Sequence, residues 1–226
     1  MCGSYGLGGY LTDEDRPIGL DPLDERENRE RIAEWVRDWS GKANTTRAGG
    51  ANLNPIIIPS RGTSRALAFA WWWLHIDGKP APFTAFNSRD DALVTKWHSS
   101  FQRRALLPAT WYSEGGKTWR LPDDRAFAIA AITSPRELDD GGSGLSYSMV
   151  TRHGVGEAAS VVSARGESRM PLILPREVHD AWLDPARSGD ADLVAEMQQA
   201  SEAISREVTA EGSATTAQAP GAATLF

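Results

Sequence analysis

Short apolar segments separated by turn sequences fill the middle of the chain, and they limit the fold more than any other feature. PIIIP (55–59), RALAFAWWWLHI (65–76) and RAFAIAAIT (125–133) are bounded by glycine, proline or charged residues, which is typical of strands. Helical spacing of apolar residues occurs at a few places only and does not alternate regularly with the strands. The pattern therefore predicts an α+β fold, in which mainly antiparallel sheets form an open, barrel-like core with flanking helices.

Helical periodicity marks a small number of segments. It predicts helices over 22–39 and 90–103, a short helix over 176–184, and a further helix near the C-terminus over 191–208. The composition changes at about residue 187, and TAEGSATTAQAPGAATLF at the end is small and polar. We therefore predict one domain over 1–186 and a tail over 187–226 that is first helical and then disordered.

Composition excludes several classes of protein. A single cysteine rules out an internal disulfide, and four scattered histidines form no metal-binding motif. No apolar segment approaches the length of a membrane span, and the N-terminus carries no secretory signal. We expect a monomeric, cytoplasmic protein that has no cofactor, no bound metal and no membrane contact.

The net charge of −6 hides an uneven distribution along the chain. Residues 41–125 contain twelve basic and six acidic residues, whereas the segments on either side are acidic. A basic middle segment is compatible with a surface for an anionic ligand. The alternative is that these are ordinary solvated charges.

The only cysteine is Cys2, directly after the initiator methionine. If Met1 is removed, Cys2 carries a free α-amine and a thiol on adjacent carbons, and such a 1,2-aminothiol can condense with an aldehyde to a thiazolidine ring. An α-amine has a reference pKa of about 7.7–8.0, so part of it is neutral at physiological pH. The alternative is a weakly reactive thiol near a frayed terminus.

Five short motifs follow one another in the chain: MCG, FNSRD, RRALLPATWYSE, ESRMPLILP and AWLDP. Their content and order resemble the SOS-response-associated peptidase (SRAP) family, which senses abasic sites in single-stranded DNA. The resemblance covers about residues 1–185 and implies a SRAP-like fold. Several motif positions differ from the family pattern, so the chain resembles a divergent member.

The resemblance implies a role for three residues. Cys2 would form a thiazolidine with the ring-opened aldehyde of an abasic site, and Asn87 would hold the N-terminal cysteine and the sugar. Glu114 would shuttle protons during ring opening and imine formation, since a mostly closed sugar needs an acid/base group within hydrogen-bond reach. The alternative for Glu114 is a loop carboxylate before the GG turn.

Other residues are candidates for DNA contact. Arginines bind backbone phosphates, and Thr151 matches a threonine before the active-site loop of the family. The arginine candidates are Arg89, Arg103, Arg104 and Arg169.

The tryptophan run at 71–73 is a candidate for stacking on a base. Because alternate residues of a strand point to opposite faces, at least one of the three indoles is expected at a surface, and we select Trp71 and Trp72. The alternative is that the whole run belongs to the core. We interpret His75 and His98 as structural residues.

The largest departure from the family pattern is Glu167, which stands where the family has a histidine that opens the sugar. Two carboxylates in one pocket raise the pKa of one of them, which would supply an acid. We therefore predict that Glu167 replaces the histidine in a two-carboxylate pocket, with His153 as another candidate substitute. Ser4 also replaces an arginine of the family pattern.

The sequence thus predicts a covalent sensor that captures abasic single-stranded DNA through Cys2. Two alternatives stay open. One is a noncovalent DNA-binding module in which Cys2 has lost its role, and the other is a peptidase that uses the N-terminal thiol.

Overall fold

The computed structural model describes residues 2–8, 16–45, 52–60, 64–162 and 166–211. Its helices are α1 (Arg26–Trp39), α2 (His98–Phe101), α3 (His179–Leu183) and α4 (Ala191–Glu207). Its strands are β1 (Ser4–Gly6), β2 (Lys42–Ala43), β3 (Leu53–Pro59), β4 (Arg65–Trp72), β5 (His75–Ile76), β6 (Lys79–Pro80), β7 (Asn87–Arg89), β8 (Arg104–Ala109), β9 (Trp111–Glu114), β10 (Lys117–Arg120), β11 (Phe127–Glu137), β12 (Ser143–His153), β13 (Arg169–Pro171), β14 (Ile173–Leu174) and β15 (Thr209–Ala210). None of the helices in these ranges is long and apolar enough to cross a lipid bilayer.

Five strands form a closed barrel, in the order β12, β4, β3, β8, β11 and back to β12. All neighbours are antiparallel except β12 and β4. The ring closes because β11 pairs with β8 along residues 127–132 and with β12 along residues 131–137. The predicted α+β fold with mainly antiparallel sheets is confirmed, but the barrel is closed where the sequence predicted an open one.

A second, antiparallel sheet has the order β15, β10, β9, β1, β2 and carries the N-terminus. Its strand β1 is fixed to the barrel by Tyr5, whose hydroxyl lies 2.6 Å from that of Tyr147. The Tyr5 ring also packs edge-on against Trp72, with 4.9 Å between the ring centroids. Aromatic pairs of this kind contribute more to the stability of the fold than their buried area alone, so β1 has a defined place against the barrel. Cys2, two residues before β1, is held there with it.

Three of the predicted helices differ in length from the observed ones, and the one predicted over 176–184 is a 3₁₀ turn followed by the five-residue α3. α1 begins at Arg26, four residues after the predicted start. The segment 90–103 buries Leu93, Trp97 and Phe101 as the periodicity requires, but it forms a 3₁₀ turn and the four-residue α2. Its backbone bonds are irregular, since the Trp97 N–H donates to Ala92 O. Burial thus fixes these side chains without a continuous helix.

The predicted C-terminal helix is present as α4. Asp190 caps it by accepting a hydrogen bond from the Leu193 N–H at 3.0 Å, and Leu193 and Met197 are buried in the main core. β15 then adds to the second sheet beside β10. The predicted domain boundary at 186 precedes these elements, which share the core of the preceding residues. The disorder predicted from residue 209 onward is wrong for Thr209–Ala210, which form β15, and residues 212–226 lie outside the described residues.

Candidate active site

Cys2 lies at the junction of the barrel and the second sheet, and it is fully buried. β1 and β9 set Ser4 opposite Ser113, which brings Glu114 to the same end of the sheet as Cys2. The Glu114 carboxylate is close enough to the Cys2 thiol to raise its pKa, through its charge and through a hydrogen bond. On the barrel side, Asn87 Nδ2 donates to the Cys2 carbonyl oxygen at 2.8 Å. The structure therefore brings together Cys2, Asn87 and Glu114, three residues that the sequence analysis selected.

Burial sets the protonation of this site. It raises the pKa of the Cys2 thiol well above its ordinary value, and the negative charge of Glu114 raises it further. The guanidinium of Arg169 is close enough to lower the same pKa. Burial also raises the pKa of the Tyr112 hydroxyl, which is therefore neutral. At neutral pH the thiol is therefore protonated.

Several polar atoms around Cys2 are buried and have no hydrogen-bond partner among the described residues. They are Asn87 Oδ1, the Tyr112 hydroxyl, and Arg169 Nε and Nη1. Each such atom costs about 1–3 kcal/mol if it stays unpaired, so a group of them beside a thiol indicates a place for a polar ligand. One acceptor, one hydroxyl and two guanidinium donors suit a ligand rich in oxygen, such as a sugar.

Arg169 is held at this site by an internal network. Its Nη2 donates to Thr151 O at 2.5 Å, to Thr151 Oγ1 at 3.1 Å and to Asp90 Oδ1 at 3.1 Å. Arg169 and Asp90 form an ion pair whose side chains are 6% and 3% exposed. Thr151, predicted as a DNA contact, is itself buried and positions Arg169.

Sequence reasoning did not select Tyr112 or Asp90. Tyr112 could have been selected from the sequence, because residues two apart on a strand point to the same face. Glu114 is two residues further along β9, so Tyr112 shares its face. Asp90 is the last residue of the FNSRD motif, but nothing in the sequence indicates its partner Arg169, which is 79 positions away.

Comparison with known proteins decides the family. The sequence model described as SOS response associated peptidase (SRAP) matches residues 24–211, which is most of the chain. This protein belongs to the SRAP family. The matched residues include Asn87, Glu114 and Arg169, and they extend through α4 and β15. No curated protein matches the sequence.

Solved structures share the SRAP fold at low sequence identity. A protein from Bacteroides thetaiotaomicron is 17% identical with a TM-score of 0.62, over 92% of this chain and 90% of that one. A protein from Bordetella bronchiseptica is 15% identical with a TM-score of 0.60, over 92% and 98%. A phage-related protein from the same organism is 16% identical with a TM-score of 0.54, over 92% of each chain. These likenesses show the fold and agree with a divergent SRAP sequence.

Besides Thr151 and Arg169, two further candidate DNA contacts of this SRAP protein lie in the interior. Arg104 is 3% exposed and donates to backbone carbonyls, so we correct its assignment to a structural one. Trp72 is 1% exposed and its indole N–H donates to Phe86 O at 2.7 Å, so it belongs to the core. Trp71 is half-buried with Arg136 over its ring, and Arg103 is exposed.

Arg89 and Glu167 meet at an exposed rim of the SRAP domain. Both Glu167 carboxylate oxygens lie 3.0 Å from Arg89 Nη1, while Asp91 accepts from Arg89 Nε at 3.0 Å and from Nη2 at 2.6 Å. Asp91 and then Glu167 raise the pKa of Arg89. The hydrogen bond from Arg89 lowers the pKa of the Asp91 carboxyl, and the exposed His153 is close enough to lower it slightly further. Glu167 is thus paired with Arg89, and its predicted role beside Glu114 stays a prediction.

Proposed function

We propose that this SRAP protein captures the aldehyde of an abasic site in single-stranded DNA through Cys2, forming a thiazolidine DNA–protein crosslink. The observation that carries the proposal is the buried Cys2 thiol, which lies beside the Glu114 carboxylate and near polar atoms of Asn87, Tyr112 and Arg169 that have no partner among the described residues. A site of this kind combines a nucleophile, a base and binding groups for an oxygen-rich substrate.

The covalent chemistry needs no cofactor. Removal of Met1 by hydrolysis frees the α-amine of Cys2, which attacks the C1′ aldehyde carbon, and loss of one water gives an imine. The thiol sulfur then adds to the imine carbon, and the thiol proton ends on the nitrogen. One C–N and one C–S bond form, the carbonyl oxygen leaves as water, and no electron is gained or lost.

Each neighbouring residue has a task in this scheme. Glu114 takes the thiol proton and carries it to the nitrogen, and it also serves the opening of the closed sugar. Asn87 holds the Cys2 carbonyl and presents its Oδ1 to the sugar. The Tyr112 hydroxyl and the free donors of Arg169 bind sugar oxygens.

Exposed groups would contact the DNA strand. The side chain of Arg103 is exposed, and Arg89 lies at the rim on β7, two residues after Asn87. Both arginines are therefore proposed to contact phosphate. Trp71 is proposed to contact a base with the accessible part of its ring.

Intact mass measured before and after incubation with single-stranded DNA carrying one abasic site tests the proposal. We expect a protein that lacks Met1 and an adduct that survives denaturation, heavier by the oligonucleotide minus one water. The Cys2→Ala variant is expected to give no such adduct. A mature N-terminal cysteine without adduct would reject the covalent function in favour of noncovalent binding, and turnover of a peptide without DNA would favour the peptidase.

The ion pair at the rim leads to a prediction about Glu167. Because Glu167 competes with phosphate for Arg89, Glu167→Gln is expected to tighten noncovalent binding of undamaged single-stranded DNA by up to about fivefold, since an exposed pair is worth at most about 1 kcal/mol. The slope of the logarithm of the DNA-binding constant against the logarithm of the salt concentration should become steeper by about 0.7, which corresponds to one more phosphate contact. Fluorescence anisotropy in the Cys2→Ala background measures both quantities.

Glu177→Gln provides the control for this measurement. It removes the same charge from an exposed position away from Arg89. An equal change in both variants would contradict competition for Arg89. A slower crosslinking rate with an altered pH profile in Glu167→Gln, at saturating DNA, would instead support Glu167 as the acid.

A further inference from the structure

We propose that Gln198, on helix α4, is a positioning residue for Arg169: it acts through Asp90 and keeps two guanidinium donors open for a ligand in the Cys2 pocket. The identity of the natural ligand rests on the proposed function, whereas the positioning role rests on geometry alone.

The geometry is a short chain of contacts from the helix to the pocket. Gln198 Nε2 donates to Asp90 Oδ2 at 2.6 Å. The other oxygen, Asp90 Oδ1, accepts from Arg169 Nη2 at 3.1 Å. Asp90 and Arg169 are almost completely buried, so water does not replace these contacts.

This arrangement departs from the usual geometry of an arginine–carboxylate pair. Such pairs are frequently bidentate, with two parallel N–H···O bonds. Here one carboxylate oxygen is engaged by the Gln198 amide, so Asp90 reaches Arg169 with a single oxygen. Arg169 Nε and Nη1 consequently have no partner within the described part of the chain. Without Gln198, Asp90 is free to turn its second oxygen to Arg169 and occupy one of these donors.

The helix that carries Gln198 is itself fixed to the barrel. Arg152 on β12 donates from Nη1 to the Gln198 carbonyl oxygen at 2.8 Å and from Nη2 to Glu202 at 2.8 Å. The neighbouring Met197 is fully buried. The position of the Gln198 amide is therefore determined by the barrel, and α4 is part of the site.

The open donors define the ligand chemistry. A guanidinium beside a buried thiol binds an oxygen-bearing group, preferably anionic, on the carbon next to the aldehyde. Glyoxylate carries a carboxylate at that place and acetaldehyde carries none. The ratio of their rates of condensation with mature Cys2 therefore reports whether the Arg169 donors are open.

Intact mass spectrometry of thiazolidine formation with these two probes tests the positioning role. Gln198→Met keeps the length of the side chain but lacks the amide, and we expect it to lower the glyoxylate-to-acetaldehyde rate ratio by about tenfold, the worth of one charge-assisted hydrogen bond. Gln199→Met, on the exposed face of the same helix, should leave the ratio unchanged. A ratio in Gln198→Met equal to that of the wild type, with an equal melting temperature, would overturn the inference.

A crystal structure of Gln198→Met separates this inference from the proposed function. Two Asp90 oxygens on Arg169 would support the positioning role even if wild-type Cys2 forms no adduct with DNA or with either aldehyde. An unchanged single-oxygen contact would overturn it, whatever the adduct experiments show.

Discussion

Glu114→Gln is expected to slow thiazolidine formation about 10²–10⁴-fold at neutral pH, while the affinity for undamaged single-stranded DNA stays unchanged. Glutamine keeps the shape of the side chain, but its amide accepts no proton from the thiol. Since burial raises the pKa of Cys2, the thiol then has no base through which to react. Single-turnover crosslinking with an abasic oligonucleotide measures the rate.

The crosslinking rates of Glu114→Gln and of the wild type are also expected to depend differently on pH. In Glu114→Gln the reactive thiolate forms only by loss of a proton to solvent, so the rate should rise about tenfold per pH unit below the thiol pKa. The wild type should rise less steeply, because Glu114 supplies the base. Glu157→Gln is the control, since this half-buried carboxylate also raises the pKa of Tyr112 but is not among the groups that shift the pKa of Cys2. A rate in Glu114→Gln within about threefold of the wild type would refute the base role.

Arg104→Met is expected to lower the free energy of unfolding by about 3–5 kcal/mol. The Arg104 guanidinium donates to four backbone carbonyl oxygens, at 2.6 Å to Trp182, Asp184 and Arg187 and at 2.9 Å to Phe101. Methionine fills the volume but leaves these buried acceptors without their donors, each at a cost of about 1–3 kcal/mol. Urea denaturation followed by tryptophan fluorescence measures the change.

The next residue along the chain provides a matched control. Arg103 is exposed, so Arg103→Met should change the free energy of unfolding by less than about 0.5 kcal/mol. If Arg103 contacts phosphate as proposed, the same variant weakens DNA binding and reduces its salt dependence. Equal stabilities of the two variants would contradict the structural role of Arg104.

The sequence by itself determined most of the elements and the centre of the site. Short apolar segments bounded by turn residues located the main strands, because β3, β8 and β11 are buried along most of their length. The spacing of apolar residues located α4. Cys2, Asn87 and Glu114 could be selected because the short motifs that contain them, MCG, FNSRD and RRALLPATWYSE, resemble those of the SRAP family.

Only the tertiary structure decided which of two like neighbours is buried. Arg103 and Arg104, or Trp71 and Trp72, are equivalent as residue types, and a strand merely sends them to opposite faces. Which face is interior depends on partners far away in the chain, such as Trp182 for Arg104. Partners far away in the chain also determine the closure of the barrel and the contact of Gln198 with Asp90, which are 108 positions apart. Burial and pairing of this kind are properties of the packed chain, so no local pattern in the sequence carries them.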